Sequence, residues 1–155
     1  MPILESNIFI TGNLEDLSCT QKDISEWVQA LIDEEEGLDE LITAKNINFS
    51  FVSEEEIQKL NLTFLKKDKP TNVLSFPSPA TDLNQDLLGD IAICIDVIKK
   101  ESHEQGKETA DHLIHIILHS VLHLVGYDHE DEASANKMEL LEISTLKKIG
   151  IANPY

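Results

Sequence analysis

One segment constrains this chain more than any other: ETADHLIHIILHSVLHLV, from Glu108 to Val125. It contains no Gly or Pro, and it is apolar around most of a helical circumference before Gly126 ends it. A helix that is greasy on nearly every side has to be buried, so it is expected to be the central helix with the rest of the chain wrapped around it. Its polar residues are ordered rather than scattered. At ~100° per residue, His112, His115, His119 and His123 fall within one stripe.

The other elements read as pieces suited to that wrapping. Ile3–Ile10 reads as a first strand. Thr20–Gly37 reads as an amphipathic helix, with Ile24, Trp27, Val28, Leu31 and Ile32 on one face and Gly37 as its stop. In Asn46–Val52, Ile47, Phe49 and Phe51 alternate with Asn46, Asn48 and Ser50, the pattern of a half-buried strand. Ser53 and Glu56 form a capping box that opens a helix to about Leu65. Thr71–Phe76 is a short strand held between Pro70 and Pro77, which suit strand ends or an edge. A loop follows over 77–86. Leu87–Ile95 alternates Ile91, Ile93 and Ile95 and reads as the best-buried strand, after which Asp96 caps a helix to about His103. The last helix spans about Glu132–Ile149 and stops at Gly150. The expected fold is α+β: a small mixed sheet covered by helices, in a single domain over residues 1–155.

Composition narrows the function. The chain carries a formal net charge of -17, and all its basic residues are Lys. Coating nucleic acid non-specifically needs a basic face that releases counterions, so that class is disfavoured, although a local basic groove is not. Lysines cluster modestly at Lys66–Lys69, Lys99–Lys100 and Lys147–Lys148. The last pair also suits the C-terminal end of a helix dipole. No apolar run approaches the ~20 residues that span a bilayer. The segment MPILESNIFI has neither a basic start nor a small-residue cleavage site. Cys19 and Cys94 could pair, but each sits beside apolar residues, and free buried thiols in a reducing compartment are the simpler reading. The expectation is a cytoplasmic protein with no membrane partner.

Chemistry concentrates in HSVLHLVGYDH, His119–His129. Its spacing, H-x-x-x-H-x-x-G-x-x-H, is that of zinc peptidases. Helical residues four apart project from nearly the same side, so His119 and His123 can face one ion. Gly126 lets the chain leave the helix through a left-handed turn, which can return His129 to the same ion. Three neutral imidazoles with one open position describe a catalytic zinc site rather than a structural one. Zn2+ is the first choice, although imidazole also suits Cu, Fe and Ni. His115, one turn earlier, is a candidate partner of a ligand, proton carrier or base, or else a core histidine. Asp128 either serves the site, as partner of a ligating imidazole or as base, or caps the turn. His112 reads as structural, and His103 as exposed without a role.

A peptidase of this spacing needs a Glu beside the first His, to deprotonate the metal-bound water and protonate the leaving amine. Here Ser120 occupies that position. Phosphodiester cleavage depends more on charge stabilisation and on positioning of the nucleophile. The substitution therefore tilts the reading from protease toward phosphate-ester hydrolysis.

With those residues identified, the chain resembles the YbeY family, bacterial rRNA maturation factors described as metal-dependent, single-strand-specific endoribonucleases. LNLTFLKKDKPTNVLSFP (Leu60–Pro77) is similar to the family pattern LN-x-x-YR-x-KD-x-PT-(D/N)-VLSFP, HSVLHLVGYDH to HG-x-LHL-x-GYDH, and LLGDIAIC to the family's LGDI strand. The resemblance runs from about Phe49 to Leu146. It implies a mixed four-stranded sheet, zinc held by His119, His123 and His129, and a groove for single-stranded RNA. It also implies a cytoplasmic role with the ribosome as the larger partner, in 16S rRNA 3'-end maturation and removal of defective ribosomes. Two positions depart from the pattern. Leu65 stands where the family has an Arg that grips phosphate, and Ser120 where it has Gly. Lys66 or Lys67, with Lys67 first, can supply a point charge without Arg's bidentate geometry. Thr71 and Ser75 are candidate donors to substrate, or else ordinary turn and strand residues.

Three functions compete. A zinc endoribonuclease accounts for the triad, the missing Glu and both family blocks. A zinc metallopeptidase accounts for the spacing but needs another base. A non-catalytic, ribosome-associated metal-binding factor accounts for the acidity and Leu65.

Overall fold

The computed structural model describes residues 2–12, 19–79 and 86–155. In chain order the elements are β1 (Ile8–Gly12), α1 (Gln21–Ile32), α2 (Leu38–Ile42), β2 (Asn46–Phe51), α3 (Glu54–Leu65), β3 (Val73–Pro77), β4 (Leu87–Ile93), α4 (Ile95–Gln105), α5 (Thr109–Leu124) and α6 (Glu132–Ile149). Side-chain caps set three of the helix starts. Thr20 accepts from Asp23 N, Ser53 from Glu56 N and Asp131 from Ser134 N. Each satisfies an amide that the helix itself cannot, typically worth ~1 kcal/mol.

The strands form one sheet in the order β1-β2-β4-β3. β1 and β4 both run parallel to β2, whereas β3 runs antiparallel to β4 at the sheet edge. The architecture is the expected α+β mixed sheet. In β2 the alternation behaves as read: Ile47, Phe49 and Phe51 are buried and the residues between them half-buried. In β4, Ile91 and Ile93 join the larger core with α1, α2, α4, α5 and α6. Ala92 alternates with them and packs with Leu74, Cys94 and Ile57, so α3 lies on the opposite face.

Helix α5 is the centre of the larger core, with eleven of its sixteen residues buried. Each fully buried Leu or Ile on it contributes roughly 1.5–3 kcal/mol. Its outer side meets β3, where Ser75 Oγ donates to Ser120 O at 3.2 Å. Gly89 makes this packing possible. A Cβ there would lie 2.5 Å from Phe76 O and 2.7 Å from Leu124 Cδ2.

Several boundaries differ from the expectations. Ile3–Asn7 is not strand: Asn7 Oδ1 accepts from Leu4 N, a 3-10 turn forms at Glu5–Asn7, and β1 begins at Ile8. The first helix is shorter than expected, and a second short helix follows it. α1 ends at Ile32, and Gly37, expected to stop it, instead precedes α2 with φ +96°. Asp96 is not a cap; β4 ends at Ile93, Cys94 is the N-cap, and Asp96 lies inside the first turn of α4. Part of the loop over 77–86 falls outside the described residues. Cys19 and Cys94 are free and buried. Among the described residues no helix is long and apolar enough to cross a membrane.

Candidate metal centre

Helix α5 presents His115, His119 and His123 on successive turns, and its C-terminal end turns the chain back. Gly126 has φ +103°, a conformation L-residues rarely adopt. Gly126 N donates to His123 O at 3.1 Å and Tyr127 N to Leu122 O at 3.1 Å, closing the last helical carbonyls. Asp128 Oδ1 then accepts from Glu130 N at 3.1 Å, an Asx-type turn. This leaves His129 beside the helix. Its ring stacks on His119 with centroids 5.0 Å apart and lies 5.6 Å from that of His123.

Nitrogen atoms from His119, His123 and His129 all lie within 4.8 Å of one another. His119 Nε2 and His123 Nε2 are 3.1 Å apart. Two nitrogens ~2.05 Å from one tetrahedral ion would be about 3.3 Å apart, so the spacing fits a shared cation. Burial first, then the neighbouring His119 and His129, pushes the His123 pKa below its usual 6.5, which favours the neutral, ligating form.

The partner of this group is a residue that the sequence reading missed. Glu142, on α6, is 0% exposed. Its Oε1 accepts from His119 Nδ1 at 2.9 Å and from His115 Nε2 at 3.0 Å. Its Oε2 accepts from Tyr155 Oη–H at 2.9 Å. Burial would raise its pKa, but the hydrogen bonds from His115 and His119 outweigh that and hold the carboxyl down at about 2. An ionised Glu142 keeps the His119 proton on Nδ1 and leaves the Nε2 lone pair directed at His123 and His129. A metal-bound His is usually oriented this way by a carboxylate. His115, His119 and Glu142 are also close enough to share an ion. Hydrogen bonds already account for that proximity, whereas in the other group a hydrogen bond can join His119 to His123 but a shared ion accounts for all three nitrogens together. The donor set therefore fits a divalent cation that accepts imidazole, with His119, His123 and His129 as the better group.

The triad opens into a cleft of about 1060 Å³ between β3 and α5, with α4 and the residues after α6 along its rim. Phe64, Phe76 and Tyr155 bring aromatic rings to it, and Lys107 is the one Lys among its lining residues. Lys107 Nζ donates to Pro154 O at 2.8 Å. Glu101 also lines the cleft, but its Oε1 accepts from His112 Nε2 and Asn72 Nδ2, both at 3.0 Å.

The structure brings the expected residues together unevenly. His115 and Ser75 line the cleft with the triad. His115 faces Glu142, and the Ser75 hydroxyl is used by Ser120 O. Lys66 and Lys67 are exposed just past the end of α3, beside the cleft residues Phe64 and Leu65 but outside the lining. Thr71 is half-buried and also outside it. Ser120 is fully buried and turned inward, donating to Ile117 O at 2.8 Å, so it neither crowds the cleft nor acts in it.

A family profile described as Endoribonuclease YbeY matches residues 9–150. The chain is 44% identical to the Endoribonuclease YbeY of Vesicomyosocius okutanii, with 100% of each chain covered. It is 43% identical to that of Colwellia psychrerythraea, over 88% of this chain and 87% of the relative. It is 47% identical to that of Francisella tularensis subsp. novicida, over 74% of both. Among solved structures, the solution structure of TM1509 from Thermotoga maritima superposes with a TM-score of 0.60 at 26% identity, covering 92% of this chain and 91% of that one.

Proposed function

Because the chain belongs to the Endoribonuclease YbeY family, we propose that it is a metal-dependent endoribonuclease that hydrolyses single-stranded RNA in the cleft between β3 and α5. The observation that carries this reading is the convergence of His119, His123 and His129 nitrogens within 4.8 Å on the cleft floor, backed by buried Glu142.

Zn2+ is the proposed cofactor, held by those three imidazoles; when bound it supplies a water acidified toward neutral pH and a positive charge beside the phosphate. The protein's own residues do the rest. Glu142 fixes the His119 tautomer through Nδ1. Phe64 and Tyr155, 60% and 57% exposed at the cleft, offer faces on which unpaired bases can stack, a contact closed to the stacked bases of a duplex. Lys67 and Lys66 can meet a phosphate where the strand passes the Phe64–Leu65 rim, with Thr71 beside them. Ser75 braces β3 against α5. Asp128, next to His129 in the chain, and His115, one turn before His119, are the proposed proton carriers. Both already hold hydrogen bonds, Asp128 Oδ1 with Glu130 N and His115 Nε2 with Glu142.

Among the described residues, no unengaged side-chain carboxylate lines the cleft to serve the peptidase alternative as its base. The cleft's Glu101 is engaged by His112 and Asn72, and Glu142 stands behind the ligands rather than beside a substrate. We place the activity in the cytoplasm, on the 3' end of 16S rRNA and in clearance of defective ribosomes, with the small ribosomal subunit and ribosome-associated proteins as partners.

The test is a substrate panel under one zinc-loaded preparation: labelled single-stranded RNA, the same RNA as a duplex, and an unfolded protein. Cutting of the single strand alone is expected. Cutting of the protein with RNA left intact would replace the nuclease with the peptidase. Tight zinc binding with no cutting would favour the non-catalytic ribosome-associated factor.

A further inference from the structure

The residues that follow α6 turn back across α5. Ile151 N donates to Leu146 O at 2.8 Å, and Pro154 O accepts from Lys107 Nζ at 2.8 Å. This path carries Tyr155 to the histidines. Its ring lies edge-on to His115, centroids 5.4 Å apart, and the residue as a whole is 57% exposed. The residue thus stays largely open to water while its hydroxyl reaches inward to a fully buried carboxylate. Glu142 Oε1 takes both imidazole donors, and Oε2 takes only the Tyr155 hydroxyl. The final carboxylate torsion of Glu is soft, so two donors on one oxygen do not fix the plane of the group. A third donor on the other oxygen does.

We propose that Tyr155 is a positioning residue of the metal site: its hydroxyl fixes the Glu142 carboxylate, Glu142 fixes His119, and docking of residues 151–155 is thereby coupled to metal retention. The inference rests on His119, His123 and His129 being the ligands. Coupling of this kind is reciprocal. A docked segment tightens metal binding, and bound metal holds the segment down. Lys107 assists from the other side by tying Pro154.

The test measures zinc affinity by competition with a chromogenic chelator, for the wild-type protein, Tyr155→Phe, Glu142→Gln and the double variant. Tyr155→Phe keeps the ring and removes only the hydroxyl. It is expected to weaken zinc binding measurably but by less than Glu142→Gln, which removes the charge of the ligand's own partner and is expected to cost about 10- to 100-fold. The double variant is expected to bind no more weakly than Glu142→Gln alone, because Tyr155 acts through Glu142. Lys107→Met, which touches no ligand, is expected to weaken zinc in the same direction. Zinc is expected to slow amide exchange over 146–155 in the wild type but not in Tyr155→Phe. Unchanged affinity in Tyr155→Phe, or losses that add in the double variant, would overturn the proposal alone. A wild-type protein that takes up no zinc would overturn the ligand assignment and this inference with it.

Discussion

His119 serves two partners at once. Its Nδ1 donates to Glu142 at 2.9 Å, and its Nε2 faces His123 Nε2 at 3.1 Å. The second relation was legible in the sequence, because a four-residue helical spacing fixes it locally. The first was not, since His119 and Glu142 are 23 residues apart and meet only through the packing of α5 on α6. One signal did exist. Glu142 shares the buried face of α6 with Met138, Leu141, Thr145 and Leu146, and an acid in an apolar stripe needs a partner. Tyr155 gave no comparable sign. Gly126 is the residue on which His129 depends. Gly126→Ala at φ +103° would store about 1–3 kcal/mol of strain or else move the turn. It is expected to weaken zinc binding more than it lowers metal-free stability, as a chelator competition set beside a urea titration would reveal. The titrating residues make a further prediction. The folded pKa of His123 lies below 6.5, so as pH falls through 6.5 the unfolded chain binds the proton first and stability drops. The folded pKa of Glu142 is about 2 against 4.5, so its contribution is present above 4.5 and is lost as pH falls toward 2. Metal-free protein is therefore expected to lose stability in two steps, with the lower one absent in Glu142→Gln. Denaturation midpoints measured across pH 3–8 check this, and a midpoint that rises on acidification from 7 to 5 contradicts it.

Among the elements, α5 was the most legible, because an all-round apolar helix has only one place to go. The ends of β4 and α1 were less so. Ile95 fits either strand alternation or a helix start, and a tertiary hydrogen bond from Cys94 N to Asn72 O lies where the strand gives way to helix. β3 carries one wall of the cleft, and its seat against α5 depends on the missing side chain at Gly89. Phe76 O is backbone and cannot rotate away from an added methyl group. Gly89→Ala is expected to cost about 1–3 kcal/mol, the range of overpacking, and to shift β3 relative to the histidines. A urea midpoint equal to wild type would show that the wall is looser than described.

For the molecule as a whole, the difficulty is charge. On the proposed function, a chain of net charge -17 would hold a polyanion in a cleft whose one lining Lys is already bonded to Pro154 O. Leu65, 51% exposed, offers no charge there. In the proposed function, binding through base stacking and the metal, with Lys66 and Lys67 at the rim, would resolve this. The log–log slope of affinity against salt for single-stranded RNA should then be no steeper than about -2, given ~0.7 per neutralised phosphate and at most three cations. A slope near -5 in a fluorescence titration would require cations outside the cleft. The most direct measurement is cleavage of a labelled single-stranded fragment of the 16S rRNA 3' end by zinc-loaded protein, by the same protein stripped with chelator, and by His123→Ala confirmed to be folded. Cutting that appears only with zinc, returns when zinc is restored and vanishes in His123→Ala is the predicted result. Equal cutting by the stripped protein or by His123→Ala would contradict the account.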